Sequence, residues 1–386
     1  MYLKGSRLSL NKKRHKPNGW LIFFLVGGIG LLLYLNLVVV PIMNPPFVPT
    51  PTATRDPASY IEEADQLAAE GKYLQAVEVY QGAINADPQN IQNYLKIARL
   101  QIYTNQLEHA QVNAQNAILL DNTASNAFAL LGWAKGFQRE YLAGEVDAKK
   151  AIELDMNSGL AHAAYAYILA LRIEAGMDEL DTMEKAIEES RTAVALEPNL
   201  LESRWARGYV LEITSNYEEA VDELEIAVAL NPHIARVYMA LGRNQINTNQ
   251  LDQAVYQFTK AYSLNPTDPT PNLFISRIYG MLGEWEKGIQ YGNAALRDGP
   301  SDPNLYANLG TLYFRKNEFN RAAEYLELAV RGGTNDDGVA VEGIPLSYEL
   351  STIETYSRYG LAMARINSCS QAVTIANTLL STVADN

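Results

Sequence analysis

Residues 217–232 read YEEAVDELEIAVALNP; the pattern returns 34 residues later as LDQAVYQFTKAYSLNP (251–266) and again as WEKGIQYGNAALRDGP (285–300). Each copy opens on a large apolar residue, carries small residues at fixed places and closes on proline. From Pro232 the phase runs back to Pro198 and forward through Pro266 and Pro300 to Thr334. Upstream it is carried by Pro88, Asn122 and Met156, after which eight extra residues precede Pro198. Five residues before each of these eight positions stands alanine: Ala83, Ala117, Ala151, Ala193, Ala227, Ala261, Ala295 and Ala329. Twelve before, every position is Ala or Gly; fifteen before stand large residues such as Tyr73, Leu107, Trp285 and Phe319. A further small row, Ala64, Ala98, Gly132, Gly208, Gly242, Ser276 and Gly310, lies 24 before. Small residues on both helices of a pair let their backbones approach at the short end of the usual ~8–10 Å axis separation. The large residue plugs the space beside the turn. Proline follows the helix end and cannot continue the helix, so the chain reverses. A unit of this size cannot bury its own apolar face and must stack on its neighbours.

The small, small, aromatic, small, small, proline order resembles the tetratricopeptide repeat over Pro57 to Asp336. The expected fold is all-α: a right-handed α-solenoid of stacked antiparallel helix pairs, eight units plus a divergent ninth, preceded by one transmembrane helix. The units run 57–90, 91–124, 125–158, 159–200, 201–234, 235–268, 269–302 and 303–336. Residues 337–386 form a loop and a capping pair, in which Tyr356, Gly360, Cys369 and Ala372 keep the order but Leu379 and Ala384 depart from it. Cys369 falls at the plug position and is expected to be a small buried hydrophobe. Two interruptions stand out: the acidic AGMDELDT (175–182) in the fourth unit and the glycine-rich RGGTNDDGVAVEGIPLS (331–347), expected to be a loop.

Ahead of the repeats, Trp20–Val40 (WLIFFLVGGIGLLLYLNLVVV) carries no charge. As a helix it spans about 31 Å, matching a hydrocarbon core of about 30 Å. It exceeds the apolar stretch of a cleaved signal peptide, and VVVPIMNPPF after it offers no small-residue cleavage site, so an uncleaved anchor is expected. Residues 1–19 hold Lys4, Arg7, Lys12, Lys13, Arg14 and Lys16 without an acid, which places the N-terminus in the cytoplasm and the body outside it. The expected setting is the plasma membrane of a bacterium. Residues 41–56 are rich in Pro and Thr, a composition that favours an extended polyproline stalk.

Several classes of function are excluded by composition. The body, 57–386, holds 24 basic and 43 acidic residues, which argues against nucleic acid as a partner. One cysteine and four scattered histidines supply no metal set, and no GxxxxGK[ST], GxSxG or HExxH occurs. No catalytic residue, metal or cofactor is expected, and the chain is read as a non-enzyme. The single N-x-[ST], at Asn265, is blocked by Pro266.

The resemblance implies that the first helix of each pair lines a concave groove for protein or peptide partners. On that phase the groove carries Tyr103, Trp133, Phe137, Tyr167, Trp205 and Tyr209, followed by Arg236, Arg243, Arg277 and Arg315. Aromatic anchors beside guanidinium forks are what protein interfaces favour. The lysine–asparagine clamp with which some members grip chaperone C-termini is not matched, since Ile61, Asp65 and Lys96 stand there. The expected role is a membrane-anchored scaffold or adaptor in extracytoplasmic complex assembly, envelope or translocation processes. The alternatives are a cytosol-facing organellar import receptor and a repeat protein that self-assembles into homo-oligomers.

Overall fold

The computed structural model describes residues 18–39, 55–177 and 179–383. The basic flank before Asn18, linker residues 40–54 and Asp178 of the acidic insertion lie outside the described residues. The chain divides into two compact units, Met1–Arg55 and Asp56–Asn386. In the first, helix α1 (Gly19–Tyr34) continues into a π-helical turn at Leu35–Val39. Gly19–Val38 is long and apolar enough to cross a membrane and buries none of its side chains against protein.

The second unit is a succession of antiparallel helix pairs: α2 (Pro57–Ala69) with α3 (Tyr73–Ala86), α4 (Ile91–Tyr103) with α5 (Leu107–Leu120), α6 (Ser125–Phe137) with α7 (Tyr141–Leu154), and α8 (Gly159–Glu174) with α9 (Thr182–Leu196). It continues with α10 (Leu201–Ile213) and α11 (Tyr217–Leu230), α12 (Ala235–Asn247) and α13 (Leu251–Leu264), α14 (Thr270–Met281) and α15 (Trp285–Asp298), and α16 (Pro303–Arg315) and α17 (Phe319–Arg331). The pair α18 (Leu350–Arg365) and α19 (Cys369–Val383) ends it.

Each pair turns through a single left-handed residue: Gly71, Asn105, Arg139, Gly176, Ser215, Asn249, Gly283, Asn317 or Asn367. At Asn105 the backbone bonds are those of a Schellman cap, with Gln106 N–H on the Gln101 carbonyl (2.8 Å) and Asn105 N–H on the Ile102 carbonyl (3.2 Å). Between pairs, a side-chain oxygen two residues back caps the reversal, as Asp121 does for Thr123 N–H and Asp155 for Asn157 N–H, both at 2.9 Å. That local turn explains how Asn122 and Met156 keep the phase without proline.

The small rows sit in the seams. Ala83, Ala117, Ala151, Ala193, Ala227, Ala261, Ala295 and Ala329 have no exposed surface. A methyl group added at Gly132 would lie 2.7 Å from the Gly144 carbonyl oxygen, and one at Gly144 equally close to that of Gly132.

The structure corrects two sequence expectations. The 331–347 segment is not a plain loop: it holds a short antiparallel hairpin, β1 (Gly332–Thr334) on β2 (Ala340–Glu342), the one departure from an all-helical body among the described residues. Val341 is buried with Tyr306 and Ala329, which fastens the hairpin to the eighth unit. Cys369 is exposed rather than buried. The plug position is closed partly by the next unit, and α19 has no successor among the described residues.

The fourth-unit insertion is anchored from within. Arg172, almost fully buried, donates to the Met177 carbonyl (2.9 Å) and to Glu179 (3.2 Å) while also pairing with Glu145. The backbone N–H of Glu179 in turn donates to the Thr182 hydroxyl at 2.8 Å.

Candidate functional site

The ten nominated groove residues fall into three places. Tyr103, Trp133, Phe137, Tyr167, Trp205 and Tyr209 are brought together, but as the filling of the solenoid's interior. Trp133 stacks on Tyr167 at 5.0 Å and Tyr167 on Tyr209 at 4.5 Å, while Phe137 meets Tyr167 at 5.3 Å and Trp205 at 5.8 Å. Trp133, Trp205 and Tyr209 retain 2%, 1% and 4% exposure, so in this arrangement they pack units together rather than face a partner. The Trp133 indole N–H finds no acceptor among the described residues. Burial pushes the Tyr209 and Tyr103 hydroxyls well above the usual range, reinforced at Tyr209 by Tyr167 and the accepting Glu174, and at Tyr103 by Glu202.

The concave face of the first six units closes on itself. Tyr103 on α4 donates to Glu202 on α10 at 2.6 Å, and Arg99 pairs with the same carboxylate at 3.1 Å. Tyr73, at the start of α3, donates to Asn231 at 2.8 Å, and desolvation pushes its hydroxyl up to about 12. His233 packs so closely on Gly71 that a methyl group there would meet its ring at 2.4 Å. These contacts tie the first two units to the fifth.

At that junction a cavity of about 740 Å³ remains, lined by Tyr73, Tyr103, Tyr167, Trp205, Arg236 and Arg243 among others. Arg243 is neutralised by a two-point pair with Glu212 (2.7 and 3.0 Å). Arg236 lies over the Phe137 ring at 4.3 Å and donates to the Asn105 side chain. Burial holds its guanidinium below the usual value, because desolvation disfavours the charged form.

Arg277 and Arg315 occupy the third place, a groove of about 360 Å³ open to solvent across the seventh to ninth units. They stand on α14 and α16 with Asn304, Asn308 and Thr311 beside them and Arg358 of α18 opposite. Arg358 pairs with Glu354 at 2.7 Å. Arg315 donates to the Gly280 carbonyl at 3.2 Å and lies over Trp285. Neither Arg277 nor Arg315 has a carboxylate within ion-pair distance among the described residues. Asn308 donates to Ser276, which donates to the Gly288 carbonyl, both at 2.7 Å, so the polar floor is fixed.

Sequence reading missed Asn304, Asn308, Thr311 and Arg358; their signal was the polar i, i+4 spacing on α16 and the place of Arg358 on the first helix of the ninth unit. The positions matching a chaperone clamp are occupied internally, since Lys96 pairs with Asp65 at 2.6 Å and Tyr80 donates to the same carboxylate.

A body assembled from stacked antiparallel helix pairs, with a fixed polar groove between the first helices of successive units, is a helical-repeat binding scaffold in class. Residues 206–269 and 277–337 match the sequence profile described as tetratricopeptide repeat, so that this part of the chain consists of tetratricopeptide repeats. Among solved structures the chain is similar to one titled as the functional characterization of Pseudomonas aeruginosa PilF, at 26% identity over 54% of this chain and 91% of that chain (TM-score 0.44). It is also similar to MamA, at 21% identity over 44% and 94% (0.36), and to a tetratricopeptide repeat protein from Parabacteroides merdae, at 13% over 67% and 98% (0.40). Comparison with curated proteins gives no match.

Proposed function

We propose that this protein is a non-enzymatic, membrane-anchored scaffold whose repeat body lies on the extracytoplasmic side and captures protein or peptide segments in the groove of its C-terminal units. The observation that carries this reading is the pair Arg277 and Arg315: two guanidiniums on successive units, without ion-pair partners among the described residues, facing an open groove with fixed amides. A planar fork without a carboxylate partner is a docking point for one, and rows of such points on a preformed surface favour an extended acidic segment. The apolar helix α1 and the basic residues before it support an anchor with its N-terminus in the cytoplasm.

The groove is tested on the full-length protein with a fluorescent Asp/Glu-rich decapeptide. Binding is expected for the wild type and at least tenfold weaker for Arg277→Glu/Arg315→Glu, with helicity unchanged; equal affinity in both proteins removes the groove from consideration. Topology is tested by a reporter fused after Asn386 that is active only outside the cytoplasm. Activity supports the orientation, and activity confined to cytoplasmic reporters reverses it.

A further inference from the structure

The cavity where the solenoid closes on itself is separate from the acidic-segment groove, and its chemistry is different. Its inner wall is aromatic, from Tyr103, Tyr167 and Trp205, with Met239 and Ala240 beside them. At about 740 Å³ it lies within the ~300–1,000 Å³ range of small-ligand sites, which combine an apolar lining with a few placed polar groups.

The charges lining it are mostly spoken for. Arg243 is matched by Glu212, and Lys72 by Glu70 at 2.7 Å. Asp268 accepts the Thr270 backbone N–H at 2.9 Å and forms no ion pair with a basic group among the described residues. Arg236 is different. Among the described residues it has no carboxylate within ion-pair distance, although Asp268 on the same wall favours its charged form, and of its five N–H donors one goes to Asn105, so its fork keeps donors to offer. Its position over the Phe137 ring, 4.3 Å from the ring centre, holds the guanidinium at the cavity wall.

We propose that this cavity binds a ligand made of an aromatic or other flat apolar body carrying a single carboxylate, with the carboxylate on Arg236 and the body against Tyr103 and Tyr167. The lining comes from the turns of the first two units and from α8, α10, α12 and the turn before α14, so an occupant bridges segments more than 100 residues apart and fastens the closed N-terminal half. Two sources supply this chemistry: the C-terminal residue of a polypeptide and a free aromatic acid.

The test uses full-length protein in detergent with four probes: N-acetyl-phenylalanine, its amide, a pentapeptide ending in phenylalanine with a free carboxylate, and the same peptide amidated. Binding is read by calorimetry and by tryptophan fluorescence. At least one free-acid probe is expected to bind at least tenfold more tightly than its amide. Arg236→Gln is expected to lower that affinity to the amide's level, and Arg277→Gln to leave it unchanged. Binding of both acids points to the carboxylate alone, whereas binding of the peptide alone points to a chain end; either supports the site. Equal affinity for acid and amide overturns the proposal, as does the absence of binding up to millimolar acid or retention of wild-type affinity by Arg236→Gln. The acid-against-amide comparison is made on the wild-type protein and does not depend on a variant folding.

Discussion

At Arg139 and Ser215 the backbone takes φ of 65° and 60°, values that glycine or asparagine supplies at the other seven helix-to-helix turns. A side chain in this region costs about 1–2 kcal/mol, against the ~0.5–1 kcal/mol that glycine's extra freedom costs on folding. Arg139→Gly and Ser215→Gly are therefore each expected to raise stability by about 0.5–1 kcal/mol in denaturant titrations; neutral or destabilising results contradict the capping role. Gly132→Ala has the opposite sign, since the new methyl group meets the Gly144 carbonyl, and overpacking of this kind costs about 1–3 kcal/mol. His162 supplies a pH dependence. Its Nδ1 lies 2.5 Å from Glu189 and its Nε2 3.0 Å from the Met156 carbonyl, and the bond to Glu189 raises its pKa above 6.5. The folded state therefore holds the proton more tightly than the unfolded chain. The stability it contributes is complete below pH 6.5 and is lost as pH rises through the raised pKa. Thermal unfolding followed from pH 5 to 9 is expected to show that loss in the wild type and a flatter profile in His162→Gln. The alanine and glycine rows were legible in sequence because side-chain size acts directly at a helix seam. A His–Glu pair 27 positions apart was not, because it joins α8 to α9 across the insertion.

Helices were the legible elements. Each runs 12 to 16 residues, long enough for the small and apolar positions to recur on one face. The hairpin was not legible. Its strands are three residues each, and Ala340–Val341–Glu342 contains a single inward position, too few for alternation to register. Three observations then hold the segment in place: Ile344 N–H on the Ala329 carbonyl, Tyr356 hydroxyl on the Ile344 carbonyl, both at 2.8 Å, and Asn335 on the Tyr306 hydroxyl at 2.9 Å. If Val341 is the pin, Val341→Ala removes two buried carbons worth about 1.5 kcal/mol. Amide exchange is expected to quicken across 332–342 while α2–α13 stay unchanged; an unaltered hairpin means the hydrogen bonds suffice. The ninth pair shows the other limit of repeat reading. The register at Cys369 is that of a plug, but burial at a register position depends on the neighbour, and no unit follows α19 among the described residues. Cys369 is expected to react fully with a thiol reagent in the native protein, and protection until denaturant is added contradicts its exposure.

Over the whole molecule, the stacking of units follows from their incapacity to bury themselves singly, and that much is written in the 34-residue period. The winding is not. Whether the first unit meets the fifth depends on a rotation between neighbours that accumulates over four steps, and no local pattern records so small an angle. This is why residues nominated on one groove phase part company, with Trp133, Trp205 and Tyr209 inside and Arg277 and Arg315 open. Glu202 is the point at which the two regimes can be separated. It is 3% exposed and accepts from Tyr103 and Arg99, both on the second unit, while sitting on the fifth. Glu202→Ala strips one buried hydroxyl and one guanidinium of their shared acceptor, a loss of roughly 2–4 kcal/mol. In a repeat array, stability is a sum of local and neighbour terms, so the loss is confined to the units that Glu202 bridges. Amide exchange in α2–α5 is expected to accelerate by at least tenfold, with α14–α17 unaffected and binding of the acidic decapeptide retained. Uniform acceleration along the body would mean that closure of the N-terminal half and the open groove form one cooperative structure.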